Sequence, residues 1–141
     1  LDWARGQAKF YKMGAASSFL IRGSHVRRID QAALPIGIIP TLKLTHRSAT
    51  LALGDIIVMV SDGITEADKD DDEAQWLQEI LAHVVPQSRE GAAQQSKEQA
   101  APQNLAPRRL AQQILAEAQQ RYGCRENDDL TVLVALVEST R

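Results

Sequence analysis

Apolar residues along this chain change their period near its middle. Before residue 60 they come in short runs or alternate with polar ones, the pattern of strands. Strands are predicted at 7–13, 18–22 and 25–30, the last two joined by Gly23-Ser24, a two-residue hairpin turn of the Gly-X kind. Residues 34–40 carry Pro35, Gly37 and Pro40 and predict a shaped loop or edge. Residues 42–53 alternate loosely and end at the turn Gly54-Asp55. Residues 56–60 are continuously apolar, the mark of a strand buried on both faces. Beyond residue 73 the spacing becomes helical. Trp76, Leu77, Ile80, Leu81, Val84 and Val85 form one stripe over 73–85. Leu110, Ala111, Ile114, Leu115, Ala118 and Tyr122 form another, opened by Pro107 and stopped by Gly123. Residues 87–104, rich in Gln, Ala, Ser and Glu, show no apolar period and predict a flexible surface insertion. A last buried strand is predicted over 130–137.

Composition narrows the class. The 141 residues suit one domain, and 44% hydrophobic content is enough for a packed core. A net charge of −2 gives no support for general nucleic-acid binding. The single cysteine, Cys124, excludes an internal disulfide; it predicts a small buried residue in a reducing, cytoplasmic setting. No apolar run approaches a membrane span of roughly 18 residues, and the given residues show no signal-peptide pattern.

The candidate chemistry is carboxylate chemistry at strand ends. Asp62-Gly63 follows the 56–60 run, and Asp128-Asp129 precedes the last strand. Alone, the first reads as a tight turn and the second as a solvated acidic turn. Together they are two carboxylates fixed by a rigid sheet, which suits a hard divalent cation. Gly63 adds room for close backbone approach. If the two strands are neighbours, Asp62 and Asp128 come within reach of one cation. Other clusters carry less. Asp68, Asp70 and Asp72, with Glu79, mimic a calcium loop, but Glu73 stands where that loop needs glycine. The run is better read as charge favourable to the start of the next helix. His25, His46 and His83 have no metal spacing, and His83 suits a helix C-terminus. Ser17-Ser18 is not part of a nucleophile elbow, and Arg108-Arg109 reads as a solvated pair.

The ordered set is more specific than its members. Residues 14–23 (GAASSFLIRG), 34–38 (LPIGI), 54–64 (GDIIVMVSDGI) and 127–132 (NDDLTV) occur in the order that resembles the metal-dependent PP2C-like (PPM) serine/threonine phosphatases. Within them it resembles the phosphatase domain of the stage II sporulation protein E type. The likeness covers nearly the whole chain outside 87–104. It implies an α+β fold: two antiparallel sheets stacked face to face and flanked by helices, an α-β-β-α sandwich. It also implies a manganese- or magnesium-dependent hydrolase in which two ions activate water against a phosphoserine, with no phosphoenzyme. By this resemblance Asp62 and Asp128 are metal ligands, Gly63 is the glycine after the metal aspartate, and Asp129 supports the site from behind. The implied substrate is a phosphorylated anti-sigma-factor antagonist. The implied setting is the cytoplasm, with a membrane tether elsewhere in the intact protein.

One departure bears on the site. Such phosphatases carry an earlier Asp-Gly whose aspartate bridges both metals, whereas here Asp2 precedes Trp3 and Asp30 precedes Gln31. The chain is therefore expected to be the C-terminal portion of the domain, inactive by itself. The alternative function is a non-catalytic PP2C-like module that binds a regulatory partner.

Overall fold

The computed structural model describes residues 2, 5–30, 35, 37–38, 46–68, 74–90, 107–124 and 128–138, with the backbone alone for 84–90. The element order is β1 (Gln7–Phe10), β2 (Ser18–Arg22), β3 (His25–Ile29), β4 (Arg47–Thr50), β5 (Ile56–Val60), α1 (Asp62–Thr65), α2 (Gln75–Glu90), α3 (Pro107–Tyr122) and β6 (Val132–Leu136).

The strands form two antiparallel sheets. One has the order β3-β2-β5-β6; the other pairs β1 with β4. The β2–β3 hairpin turns at Gly23, whose φ of 62° fits the first central position of the predicted Gly-X turn, and Arg22 pairs with His25 across it. The two faces of the larger sheet have different neighbours. Phe19, Ile21, Ile56 and Val58 pack with Trp76, Leu77, Leu81, Leu110, Ile114, Ala118 and Tyr122 from α2 and α3. Leu20, Ile29 and Ile57 pack instead against Ala49 of β4, with Phe10 of β1 beside them. Period-two alternation within each strand produces this split, since successive side chains leave opposite faces. The described residues thus stack as helices, a four-stranded sheet and a two-stranded sheet, in agreement with the expected α+β class of stacked antiparallel sheets.

Several boundaries and burials differ from expectation. The first strand stops at Phe10 and the fourth spans only Arg47–Thr50. Residues 39–45 and most of 31–36 lie outside the described residues. The 56–60 strand is buried on both faces over Ile56, Ile57 and Val58 but not at Met59, and the last strand is only partly buried along its length. Met59 is 45% exposed and Leu133 51% exposed, because the two-stranded sheet does not extend over this part of the larger one. Helix α2 runs on through Glu90, so His83 is an exposed mid-helix residue rather than a C-terminal one, and the first residues of the 87–104 segment are helical. The remainder of that segment, 91–104, lies outside the described residues. Cys124 is exposed, not buried, because it follows Gly123 beyond the end of α3.

Candidate metal centre

The candidate residues gather at one end of the larger sheet. Strands β5 and β6 are neighbours, with Val60 paired to Val132. The chain leaving β5 and the chain entering β6 therefore meet at the same edge of the fold. Asp62 opens the short helix α1, so the expected tight turn is replaced by one helical turn. Asp128 and Asp129 lie just before β6, and all three carboxylates are exposed.

Glycine 63 makes the close approach possible. A methyl group added at its Cα would lie 2.7 Å from the Asp129 carbonyl oxygen and 3.3 Å from the Asp128 Cβ. The two aspartate segments are thus in van der Waals contact through Gly63, which is itself buried. Its backbone carbonyl is engaged elsewhere, accepting a 2.8 Å hydrogen bond from the buried hydroxyl of Tyr122.

Ser61 pins the two segments together, a role its sequence position does not announce. Its hydroxyl donates to the Asp129 carbonyl at 2.8 Å and accepts from the Thr131 N–H at 3.0 Å. The Ser61 N–H in turn donates to the Thr131 carbonyl at 3.0 Å. Ser61 occupies the N-cap position of α1 yet makes no capping bond, because its oxygen is committed across the strand pair. Each of two aspartates orders its own neighbourhood: Asp62 Oδ1 accepts from the Gly63 N–H at 3.1 Å, and Asp128 Oδ1 accepts from the Asp129 N–H at 2.8 Å. Neither carboxylate has an ion-pair partner among the described residues. Two exposed like charges held by neighbouring backbones repel, and a cation between them would relieve that repulsion.

The donor set is partial. Among the described residues no group of three or more His, Cys, Asp or Glu side chains stands close enough to hold a metal ion. Asp62 and Asp128 fit as contributors to a cation site and do not complete one. The acidic run gives no alternative centre within the described residues. Asp68 pairs with Arg121 at 2.8 Å, and Glu79 accepts from Gln75 on the surface of α2; residues 69–73 lie outside the described residues.

A family model, Stage II sporulation protein E (SpoIIE), matches residues 1–138. The chain belongs to this family. Stage II sporulation protein E of Bacillus subtilis (strain 168) is 26% identical over 139 residues, covering 98% of this chain. The chain spans only 15% of that relative's length. Two solved structures from the same organism share the fold. One contains the PP2C phosphatase domain of the cell fate determinant SpoIIE with a fragment of its regulatory domain; it aligns at TM-score 0.72 and 26% identity over 94% of this chain and 34% of its own. The other is the phosphatase domain presoaked with manganese, at TM-score 0.70 and 25% identity over 100% of this chain and 55% of its own. The residues described here are therefore part of a phosphatase domain of the PP2C-like kind. In that frame the strand-end aspartates lie on an architecture whose relatives are protein phosphatases.

Proposed function

We propose that the intact protein carrying this chain is a metal-dependent phosphoserine/phosphothreonine protein phosphatase, and that this chain contributes Asp62 and Asp128 to its metal site. The observation that carries the reading is the Gly63 contact, which brings two exposed, uncompensated aspartates to one sheet end. Two divalent cations, manganese or magnesium, would supply an activated water at neutral pH and neutralise charge on the transferring phosphoryl group. The chain's own part is positional. Strands β5 and β6 fix the two backbones, Ser61 locks their spacing, and Gly63 removes the side chain that would push them apart. Asp129 supports the arrangement through its carbonyl bond to Ser61 rather than through its carboxylate.

The finer substrate reading is a phosphorylated anti-sigma-factor antagonist, met in the cytoplasm. It rests on membership of a sporulation family. No helix among the described residues is long and apolar enough to cross a membrane.

The test is a Mn²⁺ titration of p-nitrophenyl phosphate hydrolysis by the intact protein. Asp62→Asn and Asp128→Asn should each lower activity on the order of 100-fold or more and shift the metal requirement upward, since each removes a charged ligand. Asp129→Asn should cost less, because the carbonyl bond to Ser61 survives. Wild-type rates and metal dependence in the first two variants would overturn the assignment. A protein that binds Mn²⁺ yet turns over nothing would instead be the non-catalytic module.

A further inference from the structure

The same end of the fold carries a second feature that the metal reading leaves unused. A groove of about 510 Å³ opens at the edge strand β3, between it and β4, lined by Arg27, Arg28, Ile29, Asp30, Arg47 and Ser48. Three arginines and one aspartate line it, in a chain whose net charge is −2. The charges are not mutually cancelled. Asp30 is shared between Lys12 and Arg28, the latter at 3.2 Å, and Arg28 also donates to the Ser17 hydroxyl at 2.9 Å. Arg27 and Arg47 are exposed and make no ion pair among the described residues. Their placement follows from register. Arg27 pairs with Leu20, so it shares the face that meets the two-stranded sheet. Arg47 pairs with Phe10 and shares the inward face of β4 with Ala49, which puts it at the mouth between the sheets.

Register also sets the distance to the aspartates. Ile29 lies opposite Ser18, and Ser18 lies opposite Met59. The Ile29 end of the groove is therefore two strand spacings from β5, roughly 10 Å, and about as far again along the strand, roughly 14 Å from Asp62 in all, while Arg27, opposite Leu20 and hence Ile57, is roughly 18 Å from it. An extended peptide covers that span in about five residues. We propose that this groove is a substrate-specificity site: Arg27 and Arg47 bind an acidic side chain about five positions from the phosphoserine of a phosphoprotein substrate. Guanidinium groups suit this role, since their planar donors match carboxylates two bonds at a time. A protein segment fits better than nucleic acid, because the chain is acidic overall, with a net charge of −2.

The inference rests on the phosphatase reading, and its test separates the two. The intact protein with Mn²⁺ is given p-nitrophenyl phosphate and two phosphoserine peptides, one carrying Glu at the fourth to sixth positions from the phosphoserine on both sides and the other carrying Gln. Wild type should favour the acidic peptide by about tenfold in kcat/KM, mostly through KM, and the preference should shrink as NaCl rises from about 50 to 300 mM. In Arg27→Glu/Arg47→Glu the ratio of acidic to neutral peptide should fall to one or below. The same charge change on α3, Arg108→Glu/Arg109→Glu, should leave that ratio at its wild-type value. An unaltered ratio in the groove variant overturns the proposal, and so does equal turnover of both peptides by wild type. Inhibition by phosphatidylserine vesicles or by an oligonucleotide, without any peptide preference, would assign the groove to those anions and also overturn it. Failure to hydrolyse even p-nitrophenyl phosphate sinks the phosphatase reading itself.

Discussion

Asp55 and Asp62 bracket the same strand, β5, and have opposite surroundings. Asp55 is 1% exposed. Its carboxylate receives Arg22 Nε at 2.8 Å, Arg22 Nη2 at 2.6 Å and the Ala52 N–H at 2.8 Å. Arg22 also caps the Thr50 carbonyl at 2.7 Å, so it links the two sheets at this end. Asp62 is exposed, accepts from its neighbour's N–H and has no cation among the described residues. One end of the strand is electrostatically closed and the other is open. The difference separates structure from function: a satisfied carboxylate stabilises the fold, whereas an uncompensated one keeps its charge available for a ligand.

The sharpest way to break this comparison is to neutralise each aspartate in turn. Asp62→Asn should remove activity on the scale given above while leaving the thermal midpoint unchanged or slightly raised, because it relieves repulsion with Asp128. Asp55→Asn should do the reverse. It removes the charge that binds the half-exposed Arg22 at a buried carboxylate, and stability should fall by roughly 1–3 kcal/mol. Urea unfolding of the intact protein checks both. Matching stability losses in the two variants would erase the distinction.

Acid sharpens the same contrast. The hydrogen bond from Arg22 holds the Asp55 carboxyl below its ordinary value; burial works in the opposite direction, and the Ala52 N–H adds to the lowering. A depressed folded value means that the stabilisation is fully present above the unfolded carboxyl value of about 3.9 and is lost as pH falls through the folded value. The stability gap between wild type and Asp55→Asn should therefore be constant from pH 7 to about 5 and close progressively below about 4. Unfolding midpoints at pH 7, 5, 4 and 3 measure it. A gap that widens in acid would contradict the pairing.

The two ends were not equally legible in the sequence. The open end was: an apolar run stopping at Asp-Gly and another starting after Asp-Asp place carboxylates at strand termini without any knowledge of register. The closed end was not. Gly54-Asp55 reads as a turn, and its partner Arg22 becomes visible only when Ile21 pairs with Ile56 across β2 and β5. Ser61 was hidden for the same reason, since its partners lie near residue 130. The burial of β5 and β6 was overestimated because an apolar run reports hydrophobicity, not how far the covering sheet extends. Met59 and Leu133 are exposed where that cover ends. The helical half was easier, because a 3.6-residue stripe and a Pro107 start are local signals, and α3 spans Pro107–Tyr122 with the Gly123 N–H closing on the Gln119 carbonyl.

A smaller effect is expected from Gly63→Ala, which tests whether the open end depends on backbone contact. The added carbon would meet the Asp129 carbonyl oxygen at 2.7 Å, inside any tolerable contact, and that atom belongs to backbone that Ser61 holds in place. Strand ends must separate by several tenths of an ångström, at a cost of about 1–3 kcal/mol. Because the shift moves Asp128 relative to Asp62, Mn²⁺ affinity should fall as well. A variant with native stability and native Mn²⁺ dependence would show that the two segments are not coupled through this glycine.

The smallest expected effect, and the most specific, belongs to Tyr122→Phe. The tyrosine ring packs in the core at the end of α3, and its hydroxyl donates to the Gly63 carbonyl at 2.8 Å. Phenylalanine keeps the ring and removes only the donor, leaving a carbonyl beside the aspartates without that bond. The loss should be about 1–2 kcal/mol in unfolding free energy, the usual cost of an unsatisfied buried acceptor. The Gly63 carbonyl would then be free to turn, so the Asp62 segment loses a restraint on its helix side while Ser61 still holds its strand side. Mn²⁺ affinity should fall by a few-fold, far less than for Asp62→Asn, and kcat at saturating Mn²⁺ should be nearly native. A loss of kcat at saturating metal would show that the hydroxyl takes part in the reaction directly, and the open end would then extend one layer deeper than the aspartates.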